Sequence, residues 1–193
     1  MNDPTDHLSP IGRQLLKLNP NGYEKLVVGA GDGFEPAREP LSSVVPRELV
    51  TGTFRREPDA KAMLAGLWLW HDFLDKSHAI SQSLDNPTGN LWHAIMHRRE
   101  GDFSNSKYWY ARCRQHPALP TMAAQAARVV HQMPADNPLL RLVATGWNPD
   151  GFVDLVEAVH DDPRDPRHGA AVTLQQIEWR LLFDHCTRAA AGK

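Results

Sequence analysis

The chain has 193 residues, 23% of them charged and 41% hydrophobic, with 21 basic and 23 acidic residues. This length suits one domain with a buried core, and a formal net charge of −2 excludes a strong overall field for nucleic acid or anionic membrane. Cys113 and Cys186 cannot form a disulfide framework; one bridge is possible, and free thiols are favoured. The N-terminus has no apolar signal-peptide core, and no apolar run is long enough to span a membrane. The sequence therefore predicts a soluble, cytoplasmic protein.

Residues 1–57 are rich in proline and glycine and have few periodic apolar positions. They predict an irregular N-terminal arm that wraps a core or is partly disordered. Residues 7–18 could form a short helix, and residues 23–29 a short strand or extended segment.

The motif GAGDG (29–33) resembles the start of a dinucleotide-binding fingerprint. However, Phe34 stands where the last glycine belongs, and Pro36 and Pro40 are expected to break the helix that must follow. A turn is the favoured interpretation.

Residues 58–193 predict a single helical domain, because apolar residues recur at helical spacing and no alternating strand pattern appears. The predicted fold class is all-α, with stacked helical hairpins behind the irregular arm. The predicted helices cover residues 61–84, 90–100, 103–115, 121–133, 148–160 and 170–190.

An internal repeat relates residues 71–84 to residues 101–113. Asp72-Phe73 aligns with Asp102-Phe103, and a one-residue shift then pairs Ser77 with Ser106. Each copy contains a helix, a short Asp-aromatic junction and a second helix. This arrangement is typical of a helical hairpin repeat.

The segment GDFSNSKYWYARCRQHP (101–117) resembles the second half of a tetratricopeptide repeat. Gly101, Asp102 and Phe103 match that family's Gly-Asp-Tyr junction, and Trp109 and Tyr110 match its aromatic pair. The resemblance covers residues 61–117, with a period about four residues shorter than that of the family, and it implies a short array of hairpins. Residues 77–84, 92–109 and 177–186 also resemble a family of uncharacterised bacterial proteins, which implies a compact helical protein and no catalytic residues.

The motif WHAIMHRRE (92–100) contains candidate metal ligands. His93, His97 and Glu100 share a helix face and could offer three ligands to a divalent metal such as zinc. The motif lacks the general-base glutamate of zinc proteases, because Ala94 stands in its place. If the hairpins stack, His78 lies beside this face, so the predicted metal ligands are His78, His93, His97 and Glu100.

Two alternatives remain open for these histidines: hydrogen-bonded structural or pocket side chains, which are favoured, and plain solvated ones. A second possible set is His71, Asp75 and His78, which share a face only if the helix continues through Phe73.

The arginine pair at positions 98 and 99 favours an internal ion-pair network that includes Asp72 or Asp102. The alternative is a pocket for a small anionic ligand, formed by Arg98 with the histidines and nearby tryptophans. Nucleic-acid binding is not expected, because the local excess of positive charge is slight. The candidate ligand-binding residues are Trp92, Arg98, Asp102 and Trp109.

The leading functional hypothesis is a non-enzymatic helical-repeat protein that binds a partner protein or peptide. It requires an exposed groove lined by residues 64–71 and 91–99, and it agrees with the lack of a complete catalytic motif. The alternative is a metal-dependent enzyme, or a binder of small molecules or anions, that uses the His/Glu/Arg cluster of residues 78–102. The sequence commits to no cofactor; a divalent metal, zinc or a similar ion, is possible.

Overall fold

The structure, a computed structural model, describes residues 7–134 and 136–193; the start of the predicted arm, residues 1–6, lies outside this part. Within the described ranges the chain forms nine α-helices and three short 3-10 turns and has no β-strand beyond isolated bridges, which confirms the all-α prediction. The helices are α1 (Pro10–Lys17), α2 (Arg38–Ser43), α3 (Glu57–Trp70), α4 (Leu74–Gln82), α5 (Pro87–Glu100), α6 (Phe103–Ala111), α7 (Ala118–Val130), α8 (Pro149–Val159) and α9 (His168–Ala190).

Helices α3 to α6 form consecutive hairpins, in which each helix packs against the next. The closing helix α9 returns to pack on α3 and α7, and α8 packs on α6. Helix α5 lies at the centre, and every residue from position 91 to 99 is buried. A helix buried on all sides needs apolar residues around its circumference or partners for its polar ones. The histidines and arginines of α5 therefore require neighbours.

The predicted helix over 61–84 is interrupted, because α3 ends at Trp70 and α4 begins at Leu74. Asp72 has a φ of 63°, in the left-handed region that aspartate tolerates better than most residues. Gly101 has the same role after α5, with a φ of 86°. Asp72 is thus structurally equivalent to Gly101, and the one-residue shift of the repeat begins at the junction itself. With this shift, Ser77 and Ser106 hold equivalent positions, and both are fully buried.

The N-terminal arm contributes to the main core and contains two helices. Pro36 and Pro40 do not prevent helix formation, which corrects the prediction made for them. They lie in the first turn of a 3-10 turn (Glu35–Ala37) and of α2, where the missing N–H of proline costs little. Residues 23–29 form no strand, but the Val28 N–H donates to the carbonyl of Arg99 at 2.7 Å. The arm is therefore hydrogen-bonded directly to the end of α5.

Both cysteines, Cys113 and Cys186, are buried free thiols. Burial raises the pKa of Cys113 to about 12, so it lacks the thiolate character of a reactive cysteine. No helix among the described residues is both long and apolar enough to cross a membrane.

Candidate metal centre

Three histidines meet where α4 packs on α5. The ring centroid of His78 lies 4.7 Å from that of His93 and 5.3 Å from that of His97, and the rings of His93 and His97 are 4.6 Å apart. One nitrogen from each ring can be chosen so that all three lie within 4.8 Å of one another. The short turn between the helices makes this possible, because Asn86 caps α5 through the Gly89 N–H and turns the chain back.

His93 is the deepest of the three, with 3% of its surface exposed. Neither of its ring nitrogens has a hydrogen-bond partner among the described residues, and its ring stacks on Trp109 at 4.1 Å. An unsatisfied buried polar group costs about 1–3 kcal/mol. Burial first, and then the neighbouring His97 and His78, lower the pKa of His93 to about 4. The ring is therefore neutral near pH 7, the form that binds a metal ion.

Glu100, also predicted as a metal ligand, is not in the group formed by His78, His93 and His97. Its carboxylate accepts from Nδ1 of His97 at 2.5 Å, and it forms a second, overlapping group with His97 and Asp102. A carboxylate that holds the outer nitrogen of a histidine orients the ring and leaves Nε2 free for a metal. The side-chain amide of Asn105 lies 3.1 Å from Nε2 of His97, so a bound cation would replace that contact.

The second predicted set does not form, because the break after Trp70 turns His71 away from His78. Nε2 of His71 donates to the carbonyl of Leu15 at 3.0 Å, and the side chain is fully buried. Burial lowers the pKa of His71 to about 4. This histidine therefore joins α1 to α3 and takes no part in the cluster.

The arginine pair forms buried ion pairs. Arg98 lies 2.7 Å from Glu178 of α9 and donates to the hydroxyl of Tyr110 at 2.5 Å. Arg99 lies 2.7 Å from Asp72 and donates to the carbonyl of Leu69 at 2.8 Å. The predicted internal network thus involves Asp72 rather than Asp102. Arg98 is fully buried, so it has no free surface for an anion.

The predicted ligand-binding residues lie in different environments. Trp92 of α5 is fully buried, with its ring against Trp179 of α9, and the ring of Trp109 stacks on His93. Only Asp102 borders an open cleft. Trp92 and Arg98 are therefore core residues, and Trp109 belongs to the surroundings of the histidines.

The cleft beside the histidine cluster has a volume of about 970 Å³. One wall comes from the N-terminal arm, and the other comes from the two helix junctions and α4. His78 is the member of the cluster that borders it. Sequence reasoning missed the arm as part of this site and named Asp75 only in the set with His71 and His78; the glycine cluster of GAGDG was the available signal for the arm, but it was interpreted as a turn. The lining includes Gly29, Gly31, Gly33, Arg38, Asp72, Phe73, Asp75, His78, Met96, Glu100 and Asp102.

Comparison of the chain with protein-family models, curated proteins and solved structures finds no match. The resemblances to tetratricopeptide repeats and to a bacterial family therefore stay predictions, and functional inference depends on the geometry of the site.

Proposed function

We propose that this protein is a metal-dependent enzyme whose divalent cation is held by His78, His93 and His97 at the end of the cleft. The observation that carries the proposal is His93, which is buried and neutral with both ring nitrogens unpartnered beside two further histidines. Three imidazole ligands are a donor set of catalytic zinc sites, in which water or substrate takes the fourth position. Zinc in such a site lowers the pKa of bound water to about 7.

The cleft gives this proposed centre access to a substrate. A volume of about 970 Å³ lies within the range of small-molecule sites, which is roughly 300–1,000 Å³. Because His78 borders the cleft while His93 lies behind it, a cation among the three histidines would face the cleft on the side of His78.

The hypothesis of partner binding has less support. It requires an exposed groove lined by residues 64–71 and 91–99, yet residues 91–99 are all buried and none of residues 64–71 is exposed. Helices α4, α6 and α9 cover these faces. A protein or peptide partner would need a different surface.

Zinc titration of EDTA-treated protein, followed by calorimetry, tests the proposal. The wild-type protein is expected to bind one equivalent, and Co²⁺ in place of zinc should give the visible absorption of a nitrogen-rich tetrahedral site. His78→Ala is the main variant because His78 is only half-buried, so the fold should tolerate its loss. We expect zinc affinity to fall by more than about 100-fold. This loss is larger than the roughly 10- to 100-fold loss that follows when a side chain that only hydrogen-bonds to a metal ligand is removed.

The matched control is His131→Ala, which removes an exposed histidine at the end of α7 and should leave zinc affinity unchanged. His93→Ala should also abolish stoichiometric binding, and circular dichroism in EDTA reports whether this variant is folded. The proposal fails if the wild-type protein binds no stoichiometric zinc, or if His78→Ala binds it as the wild-type protein does.

A further inference from the structure

The charges that border the cleft are mainly negative. Asp72, Asp75, Glu100 and Asp102 contribute carboxylates, and Arg38 contributes the single guanidinium. Arg38 is already engaged, because its Nε donates to Glu35 at 2.8 Å and its guanidinium lies 4.5 Å from the centre of the Phe73 ring. Asp72 is paired with Arg99, and Glu100 with His97. Two of these carboxylates, Asp75 and Asp102, therefore have no cationic partner within residues 7–134 and 136–193.

Asp75 lies in the first turn of α4, three residues before His78 and thus on the same face of the helix. It is exposed and has no hydrogen-bond or ion-pair partner in the described parts of the chain. Its carboxylate therefore faces solvent beside the proposed metal ligand.

Asp102 borders the cleft from the junction between α5 and α6. Its Oδ1 accepts from the Asn105 N–H at 3.1 Å and from the hydroxyl of Ser104 at 3.1 Å. These bonds, that to the Asn105 N–H foremost, hold the pKa of Asp102 below its usual value. The carboxylate is ionised at neutral pH, and its partners are uncharged or backbone groups.

The other lining groups suit an alkyl chain. Ala30, which is exposed, and Leu74, which is half-buried, offer apolar surface, and Gly31 lets the backbone approach a ligand closely. We propose that the substrate is a small molecule with a cationic ammonium group at Asp75 and Asp102 and an oxygen function that reaches His78, His93 and His97. The part of this inference that concerns the oxygen function rests on the proposed metal centre. The part that concerns the ammonium group depends on the cleft alone. This charge preference is opposite to the anionic ligand that the arginine pair suggested.

Two matched probes differ only in the cationic group: 6-aminohexanohydroxamic acid and hexanohydroxamic acid, whose hydroxamate is a zinc ligand. In the zinc-loaded protein at low salt, the amino compound should bind about threefold to tenfold more tightly, as expected for exposed charge pairs. The difference should shrink at high salt, because exposed charges are screened.

Asp75→Asn and Asp102→Asn should each reduce the preference for the amino compound. Asparagine caps a helix about as well as aspartate does, so the second variant should keep the start of α6. The matched control is Asp161→Asn, an exposed carboxylate outside the cleft, which should retain the full preference.

A second probe pair, hexylamine and hexanol with metal-free protein, separates this inference from the proposed function. If zinc and the hydroxamates fail to bind but hexylamine binds more tightly than hexanol, the metal proposal fails and the cationic preference of the cleft stands. If zinc binds but each uncharged probe binds as tightly as its amino partner, the substrate inference is overturned and the metal proposal stands. If neither zinc nor hexylamine binds, both are overturned.

Discussion

At the scale of single residues, the sequence placed His93 and His97 on one helix face and suggested His78 as their neighbour. The structure brings these three rings together. Glu100 is not in the group of these three side chains, because this glutamate is one turn further along and reaches back to Nδ1 of His97. Helical spacing shows which residues share a face, but the choice between ligand and outer partner depends on side-chain rotamers that a sequence pattern does not contain.

Glu100 is therefore expected to strengthen metal binding without being a ligand. Glu100→Ala should weaken zinc affinity by about 10- to 100-fold, the usual effect of losing an outer carboxylate. Glu100→Gln keeps an acceptor for the Nδ1–H and should lose less. Calorimetric titration with zinc measures both effects. Equal affinity for the alanine variant and the wild-type protein would contradict the assignment of Glu100.

Acid should destabilise the fold through histidines outside the cluster. His116 is buried, with Nε2 3.1 Å from the hydroxyl of Thr88 and Nδ1 accepting from the Ala118 N–H. Burial first, and then His185, lower the pKa of His116 to about 4 in the folded state, against 6.5 for a free histidine. Between these values the unfolded chain binds more protons, so the free energy of unfolding should decrease as the pH falls from 7 to 5.

Urea denaturation in EDTA at pH 7 and pH 5 measures this loss. His116→Gln should reduce the difference between the two pH values by about 1–2 kcal/mol, because one titrating group is removed. His131→Gln removes an exposed histidine and should leave the difference as it is in the wild-type protein. A difference unaffected by His116→Gln would show that other groups cause the acid sensitivity.

At the scale of helices, apolar periodicity, caps and proline positions in the sequence predicted α5 to α9 with shifted ends. The missed break at Asp72 has a physical cause. No proline or glycine lies between Trp70 and Leu74. An aspartate in the left-handed region leaves no strong signal in the sequence. The helices at Pro36 and Pro40 were missed because proline is disruptive inside a helix but tolerated in its first turn.

Close packing of α3 against α5 and α9 can be tested at a glycine in the middle of α3. A Cβ atom on Gly66 would lie 2.7 Å from the Trp92 ring and 3.1 Å from Phe183. Overpacking costs about 1–3 kcal/mol, and a contact as short as 2.7 Å with a ring places the cost at this site above the gain of roughly 1 kcal/mol from replacing glycine in a helix. Gly66→Ala should therefore lower the free energy of unfolding in urea.

The control is Gly169→Ala in the first turn of α9, where a Cβ would meet no atom within 4 Å. This variant should be stabilised by about 0.4–1 kcal/mol, because the unfolded chain becomes less flexible. If Gly66→Ala is stabilised to the same extent, the three helices are less tightly packed than the structure shows.

At the scale of the whole molecule, a buried ionic network joins the centre of the fold to its closing helix. Arg98 of α5 pairs with Glu178 of α9, and the Tyr110 hydroxyl donates to Glu178 at 2.7 Å. The guanidinium also lies 4.5 Å from the centre of the Phe152 ring of α8. Four helices therefore converge on one buried charge pair, and removal of either charge leaves the other buried without its partner.

Glu178→Gln should destabilise the fold by about 3–5 kcal/mol, the usual cost of breaking a buried ion pair from one side. The matched control is Asp154→Asn, which removes an exposed carboxylate paired with Lys107 and should cost less than about 1 kcal/mol. Urea denaturation measures both variants. Similar losses for the two would show that the buried pair contributes no more than a surface pair.

The two halves of the proposed site should be assembled at different times. All three histidines belong to the hairpin of α4 and α5, whose contacts span few residues and close quickly. The opposite wall of the cleft belongs to the arm, which is held by the bonds from the Val28 N–H to Arg99 and from the Phe34 N–H to His71. During synthesis on the ribosome the arm emerges first, yet its partner at Arg99 appears only after α5 has been made. The hairpin that carries the three histidines of the proposed metal site can thus exist before the opposite wall of the cleft is in place.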